Sequence, residues 1–353
     1  METGSFRVIG GAVKETYALY KRLSEDGYRI DLMGNYQAVD SSAVAVDTAS
    51  AMARDYDIVW MNSIRDVPVA KRYSKAHRNA KIVFVDRGNI ISNLKKESGI
   101  AALRPKSIAR RLLAGSLRNW LDHYVALSAG QLPDAQSFFS GKTGISCIPI
   151  APHKEYRKLR IRKTFQGGIA ASRLEESQKR ISFMIKGILR MKHIYPDIGD
   201  NTVLKIVGTG PDEASYASLA KSLGISKNIS FKGFESGEQL VREFNNSGFF
   251  VSTSSWESFG RSLIEAMACG LPALINPDIN TTVSENPRRA LVRHGYNGMI
   301  YSSGNINDFA EKFHMLYSNA WMRSRMSANA LKSIKGFSFS VVARSYEKLI
   351  DSM

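Results

Sequence analysis

Short runs of apolar, β-branched residues recur along the chain. Between them lie stretches whose apolar positions return every three or four residues. That alternation predicts a parallel sheet with crossover helices. In the first half the runs predict strands at 6–9, 29–33, 57–61, 81–85, 123–127 and 145–148. Helices fall between them, as over 15–26, where Ala18, Leu19 and Leu23 make an apolar side and Arg22 a polar one. From Pro149 to Gly168 the pattern breaks into a segment with two prolines, a basic run and a closing glycine pair, which reads as a linker. The alternation then restarts, with strands at 168–171, 203–207, 229–231, 248–252 and 272–275. Helices are expected up to Met191, over 213–223 and over 261–269. The fold class predicted is α/β: two Rossmann-like, doubly wound domains over 1–150 and 168–335, joined by a linker over 151–167 and facing across a cleft. A terminal helix over 336–353 is expected to pack back on the first domain. Ligands of such sheets bind beyond the carboxyl ends of the strands, so the cleft is the expected site.

Composition narrows the class. At 353 residues, 44% hydrophobic and 23% charged, the chain suits two globular domains rather than a disordered polymer. No apolar run is long enough to span a membrane, and Met1 to Tyr20 lacks the apolar core of a signal peptide. Two cysteines, Cys147 and Cys269, make neither a disulfide framework nor a metal cluster, so a reducing cytoplasm is expected. The net charge of +17 is concentrated: Arg65 to Arg118 holds 14 Lys or Arg against 3 Asp or Glu, an excess of +11. Such a field favours an anionic partner (nucleic acid, an anionic lipid surface or a phosphorylated substrate) or else forms a solvated face. Within it, 107–122 is amphipathic at helical period, with Ile108, Leu112, Leu113, Leu117, Trp120 and Leu121 on a broad arc opposite Arg111 and Arg118. The arc either lies on a membrane surface or packs on the sheet; in both cases the arginines, with Lys95, Lys96, Arg104 and Lys106, are available to anionic headgroups.

The richest segment runs from Phe249 to Ile275. A buried strand ends at Thr253, a polar turn follows, Phe259-Gly260 opens a helix, and Gly270 closes it before Leu271-Pro272. Free amides near Gly260 suit a diphosphate, and the flanking carboxylates Glu257 and Glu265 suit the hydroxyls of a sugar and a ribose. Glu257 and Glu265, followed by Ala266-Met267-Ala268-Cys269-Gly270-Leu271-Pro272, resemble the signature of glycosyltransferase family 4, retaining GT-B enzymes that use nucleotide sugars. Ala171-Ser172-Arg173-Leu174 with Lys179 resembles that family's phosphate-binding pair. Val207-Gly208-Thr209-Gly210-Pro211 resembles its next strand and turn, and Ile229 to Phe234 the loop that contacts the base. Asn297 to Ile300 and Phe337 to Leu349 also fall where the family has them. The likeness runs from Gly168 to the C-terminus and is weak before it.

The resemblance implies that Glu257 holds the donor sugar and Glu265 the ribose, while Arg173 and Lys179 meet the charge of the departing diphosphate. Gly208, Phe234, Phe259, Gly260 and Arg261 are implied in donor binding, as are Gly10 and Gly11, where the family brings bare backbone to the diphosphate. No Asp-x-Asp metal motif is read along the chain, so Arg173 and Lys179 are expected to meet this charge directly, with no metal and no cofactor beyond the donor. Retention, with the leaving phosphate helping to deprotonate the acceptor, follows from the family alone. Singly, Arg173 or Lys179 reads as a surface charge, Glu265 as a local pair, Gly208-x-Gly210 as a turn and Cys269 as a core residue. The first half departs from the family. Where many members carry an acceptor-side histidine, this chain has Val85-Asp86-Arg87-Gly88-Asn89. Asp86 there is either a catalytic base or orienting group, or the start of a turn. The sixth strand ends in Pro149-Ile150-Ala151-Pro152-His153.

The leading expectation is a cytoplasmic glycosyltransferase, peripheral on the inner face of the membrane, acting on a glycan or lipid-linked acceptor. A soluble enzyme with a small-molecule or protein acceptor is the first alternative, and a GT-B sugar epimerase another. A nucleic-acid-binding protein on a Rossmann-like scaffold is disfavoured because the basic tract lacks interleaved aromatics, and no specific nucleic acid is expected.

Overall fold

A computed structural model describes residues 2–3, 11–33, 46–96, 105–139, 141–279 and 290–353. Among them the chain divides into two compact units. One runs to Ala151 and takes in Phe339–Met353; the other runs from Pro152 to Ser338.

The first unit is built on β1 (Glu2–Thr3), β2 (Leu32–Met33), β3 (Ile58–Met61), β4 (Lys81–Val85), β5 (His123–Ala126) and β6 (Gly144–Cys147), in the order β2-β1-β3-β4-β5-β6 and all parallel. β4 shows why these runs form strands: beyond Lys81, Ile82, Val83, Phe84 and Val85 are all buried, as a parallel strand covered on both faces requires. The predicted strand over Phe6–Ile9 lies outside the described residues. β2 begins three residues later than predicted, at Leu32, where its ladder with β1 starts opposite Glu2. The helix Phe339–Asp351 belongs to this unit: Tyr346 lies 4.7 Å from the Trp60 ring, and Tyr28 Oη donates to Asp351 at 2.6 Å.

The amphipathic arc divides. Its helix spans Pro105–Leu117, so Trp120 and Leu121 lie beyond it. Leu117 and Leu121 are buried, while Ile108 and Leu112, one turn apart, face solvent, Leu112 at 71% exposure. Arg118 lies over the Phe138 ring at 4.2 Å, and Arg111 Nη2 donates to the Leu94 carbonyl at 3.2 Å. The side chains of Lys95 and Lys96, and Arg104, lie outside the described residues. No described helix is long and apolar enough to cross a membrane.

The second unit carries β7 (Gly168–Ala171), β8 (Leu204–Val207), β9 (Ile229–Gly233), β10 (Phe249–Ser252), β11 (Ala273–Ile275) and β12 (Gly298–Ile300), parallel in the order β12-β11-β10-β7-β8-β9. This is the doubly wound order with its reversal between β7 and β10. β7 is Gly-Ile-Ala-Ala and wholly buried. A Cβ on Gly168 would stand 2.7 Å from Val251 Cγ2 and 3.0 Å from Phe313 Cε2, so the small residue is what lets neighbouring side chains close over the strand. The helix Ile181–Ile194 buries Ile185, Ile188 and Met191 against Phe309 and Phe313 of Ile306–Ser318.

The exits of β7 and β8 run in contact. Gly208 follows β8 with φ +131, and a Cβ there would lie 1.9 Å from the Ser172 carbonyl oxygen. Gly208→Ala should therefore destabilise the second unit by about 2 kcal/mol or more. Gly141→Ala, which opens onto empty space, should stay within about 0.5 kcal/mol. Thermal unfolding of the two variants checks this; equal melting temperatures would contradict the close approach.

Candidate functional site

The chain leaves β7 towards β8 and leaves β10 towards β11, so a crevice opens between the two exits. A cavity of about 260 Å³ occupies it, walled by Arg173 and Lys179 from the first exit and by Thr253, Glu257, Gly260 and Arg261 from the second.

The two exits are tied through backbone. After β7 a short helix, Glu176–Lys179, ends at Arg180, a non-glycine residue at φ +50, from which Ile181–Ile194 starts in a new direction. The Thr253 hydroxyl lies 2.9 Å from the Lys179 carbonyl and 3.0 Å from that of Arg180. Ser255 N donates to the Gln178 carbonyl at 2.8 Å, and Gln178 Nε2 to the Trp256 carbonyl at 3.2 Å. Below them Asn276, fully buried, donates to the Ser254 carbonyl at 2.7 Å.

These ties aim the charged side chains. Lys179 Nζ forms an ion pair with Glu257 Oε1, and both side chains are largely buried. Arg173 is 70% exposed on the rim, with Nε 3.6 Å from Glu175. Gly260, at φ +82, opens the helix Arg261–Ala268, and no side chain caps it. Its first-turn amides and the positive helix end face the cavity rim, a setting that favours an anion. Arg261 Nη1 stands 4.0 Å from Glu265 Oε1 and 3.4 Å from His153 Nε2. The cavity therefore holds three cations and one ion-paired carboxylate around a helix start, a set able to bind a polyhydroxylated anion.

Arg173, Lys179, Glu257, Gly260 and Arg261 thus meet in one place. Glu265 is 5% exposed and sits behind Arg261 rather than on the wall. Phe259 is buried 5.7 Å from Phe337, so only its backbone remains for a ligand. Phe234 is 73% exposed on the loop after β9. Gly208 makes the close approach described above. Gly10 lies outside the described residues, and Gly11 begins the helix Gly11–Glu25. Cys269 is a core thiol pushed up to about 12 by burial. Gln178, Thr253 and His153 were not marked by sequence: the first two act through backbone carbonyls, which no motif reveals.

Asp86 requires a correction. It is fully buried, and its carboxylate accepts from Ile90 N at 2.8 Å, Ile91 N at 3.2 Å and Tyr124 Oη at 2.8 Å. Burial holds its carboxyl above the usual range. It caps the helix Ile90–Lys96 and is sealed from substrate, so it is not a catalytic base. The chain does contain one Asp-x-Asp, Asp55-Tyr56-Asp57, but it lies before β3, where Asp55 pairs with His77 at 2.7 Å. Among the described residues no group of three or more His, Cys, Asp or Glu is placed to hold a metal ion.

Residues 169–333 match the family of glycosyl transferases group 1. A lipopolysaccharide 1,6-galactosyltransferase of Salmonella typhimurium is 28% identical over 145 residues, covering 40% of this chain and 37% of that protein. An alpha-monoglucosyldiacylglycerol synthase of Acholeplasma laidlawii is 27% identical over 194 residues, covering 54% and 45%. The chain spans less than half the length of the curated relatives it matches. Among solved structures, Anabaena HepE in complex with UDP and glucose superposes with a TM-score of 0.73 at 16% identity, over 100% of this chain and 99% of that one. That likeness is one of fold, and the fold is GT-B: two Rossmann-like domains with parallel sheets.

The Lys179–Glu257 pair makes a direct prediction. Lys179→Met leaves a partly buried carboxylate unpaired and should lower stability by about 1–2 kcal/mol, discounted for its partial exposure to solvent. Adding Glu257→Gln should recover part of that loss in thermal unfolding. Strictly additive losses would mean that the two groups are not coupled.

Proposed function

We propose that this protein is a retaining glycosyltransferase. It takes a sugar from a nucleotide-sugar donor and passes it to a glycan or lipid-linked acceptor in cell-envelope polysaccharide or glycolipid synthesis. One observation carries the reading: two exits at the reversal of the second sheet bring Arg173, Lys179, Glu257 and an uncapped helix start to one cavity. Glycosyl transfer releases a nucleoside diphosphate, and its growing charge must be met at the moment the bond breaks. Arg173 and Lys179 supply that charge, and the helix start adds backbone donors. Glu257 then exchanges its bond to Lys179 for the sugar's hydroxyls, and Phe234 offers a face to the base. Glu265 acts from behind Arg261. The relatives act in lipopolysaccharide and glycolipid synthesis by their names, which supports an envelope acceptor. Metal independence is part of the same proposal, since Arg173 and Lys179 can supply the countercharge themselves.

The protein works at an anionic membrane surface in this reading, on its inner, cytoplasmic face. The exposed pair Ile108 and Leu112 lies on a helix bearing Lys106, Arg110 and Arg111, which suits shallow insertion beside anionic headgroups.

Nucleotide sugars and bare nucleoside diphosphates should raise the melting temperature in a thermal-shift screen. Arg173→Ala and Lys179→Ala should each lower turnover on the order of 30- to 1000-fold with the fold intact. Turnover like that of the unsubstituted protein in both variants would remove the phosphate clamp, and loss of activity in EDTA restored by magnesium or manganese would remove the metal-independent reading. Sedimentation with liposomes should require anionic lipid and weaken as salt shortens the Debye length from about 10 Å at 0.1 M. It should also weaken in Leu112→Ser. Indifference to anionic liposomes at low salt would remove the membrane.

A further inference from the structure

Between β6 and β7, from Ile148 to Gly167, the chain forms neither helix nor strand. Its course past His153 is nevertheless fixed. The His153 carbonyl accepts from Tyr156 N at 3.0 Å, closing a turn, and the half-buried Tyr156 ring stands 6.1 Å from that of Phe244. Asn245, 2% exposed on the helix Glu238–Asn246, then accepts from Leu159 N at 2.7 Å and donates to the Arg157 carbonyl at 3.0 Å. The turn so held sets the half-buried His153 against Arg261, with Nε2 3.4 Å from Nη1.

That contact has a chemical consequence. A guanidinium offers N–H donors and no acceptor, and it keeps its proton in a protein. The acceptor is therefore Nε2, and a ring nitrogen that accepts carries no proton. The contact thus exists with His153 neutral and its proton on Nδ1. Protonation of Nε2 would set two cations 3.4 Å apart. Among the described residues, the other ionisable groups gathered here are Glu265, 4.0 Å from Arg261 on the same helix, then Lys154, Glu155 and Tyr156 on the turn, and Cys269. Burial pushes the Tyr156 phenol and the Cys269 thiol up, so both stay neutral around pH 7. His153 is the member of this group whose ordinary titration falls between about pH 5 and 8.

We propose that His153 is a positioning residue of the donor site, which holds Arg261 while neutral and takes a proton when Arg261 turns to a bound diphosphate. The diphosphate rests on the nucleotide-sugar reading above; the acceptor role of Nε2 rests on the contact itself. A bound anion acts on His153 in two ways of the same sign. It draws the guanidinium away from Nε2, and it favours an imidazolium nearby. Binding is then linked to uptake of a proton from solvent at Nε2, and affinity gains as pH falls through the range in which His153 titrates. The proton adds a cation to the site where the departing diphosphate gains charge.

The test follows the His153 ring by NMR in the full chain, labelled with carbon-13 at histidine Cε1, its signal assigned by its absence in His153→Gln. Uridine, guanosine and adenosine diphosphate are added in turn. The titration midpoint of His153 should rise by about one unit or more with a nucleoside diphosphate that binds, since an opposite charge within a few ångströms shifts a group by about one to three units. In Arg261→Met without nucleotide the midpoint should already lie higher, because the neighbouring cation is gone. His153→Gln keeps an acceptor for Arg261 but takes no proton. Its affinity for the nucleoside diphosphate should match that of the unsubstituted protein at pH 8 and fall about fivefold behind it at pH 6, roughly the factor that a one-unit shift gives. The ratio of the two affinities cancels the ligand's own titration. A nucleoside diphosphate that binds while the His153 midpoint stays put or moves down overturns the proposal. So does an affinity ratio that is the same at both pH values. Failure of every nucleoside diphosphate to bind would fell the donor reading, and this proposal with it, a result distinct from either.

Discussion

The hydroxyl of Thr253 lies between the carbonyls of Lys179 and Arg180, at 2.9 and 3.0 Å, and the geometry of the second unit's crevice follows from that contact. Arg180 is held at φ +50, a conformation that costs a residue with a Cβ roughly 1–2 kcal/mol. The turn survives because its carbonyls are taken up by the strand exit opposite. Without that tie the short helix Glu176–Lys179 would have no reason to stop where it does, and Lys179 would not reach Glu257. Asn276 and Gln178 repeat the same device on either side, each bonding to backbone of the 253–257 turn.

The topology explains why these ties gather at one point. In a doubly wound sheet only the strands flanking the reversal send their exits in opposite directions, which leaves a gap that neither crossover helix fills. β7 and β10 are those strands, and β7 is made of residues small enough for the sheet to be covered closely. Packing in the core and chemistry at the edge are therefore one constraint. The glycines after β8 extend it, since Gly208 and Gly210 each bring a peptide against the carbonyl of Ser172 or Leu174. Charge is then placed on a rigid frame. Lys179 and Glu257 satisfy each other, and a ligand that brings an anion to the one and a hydroxyl to the other can replace both halves of the pair.

Much of the sheet architecture could be read from sequence because parallel strands buried on both faces leave unbroken apolar runs, as at β4, β7 and β10. Boundaries moved where the partner strand decides the length of the ladder, as at β2, which pairs with β1 only from Leu32 on. Periodicity described the arc of 107–122 but could not tell which end has a neighbour; Leu117 found the core while Leu112 did not. Arg173, Lys179, Glu257 and Arg261 converge in one cavity, while Glu265 stays off its wall. A residue beside a helix start looks the same in sequence whether its side chain or its amide faces out, as at Phe259, and whether its carboxylate meets a ligand or the next helix's N–H groups, as at Asp86. Asn245 left no sequence signal at all, because what it holds is the main chain of a linker.

The central claim is that the two tied exits form one ligand-binding unit. Amide hydrogen exchange, followed with and without a saturating nucleoside diphosphate, measures it most directly. The structure predicts slowed exchange in both 172–180 and 253–262 together, with the helix Pro105–Leu117 unaffected. A nucleotide that binds while leaving either exit unprotected, or that protects chiefly the first unit, would contradict the account.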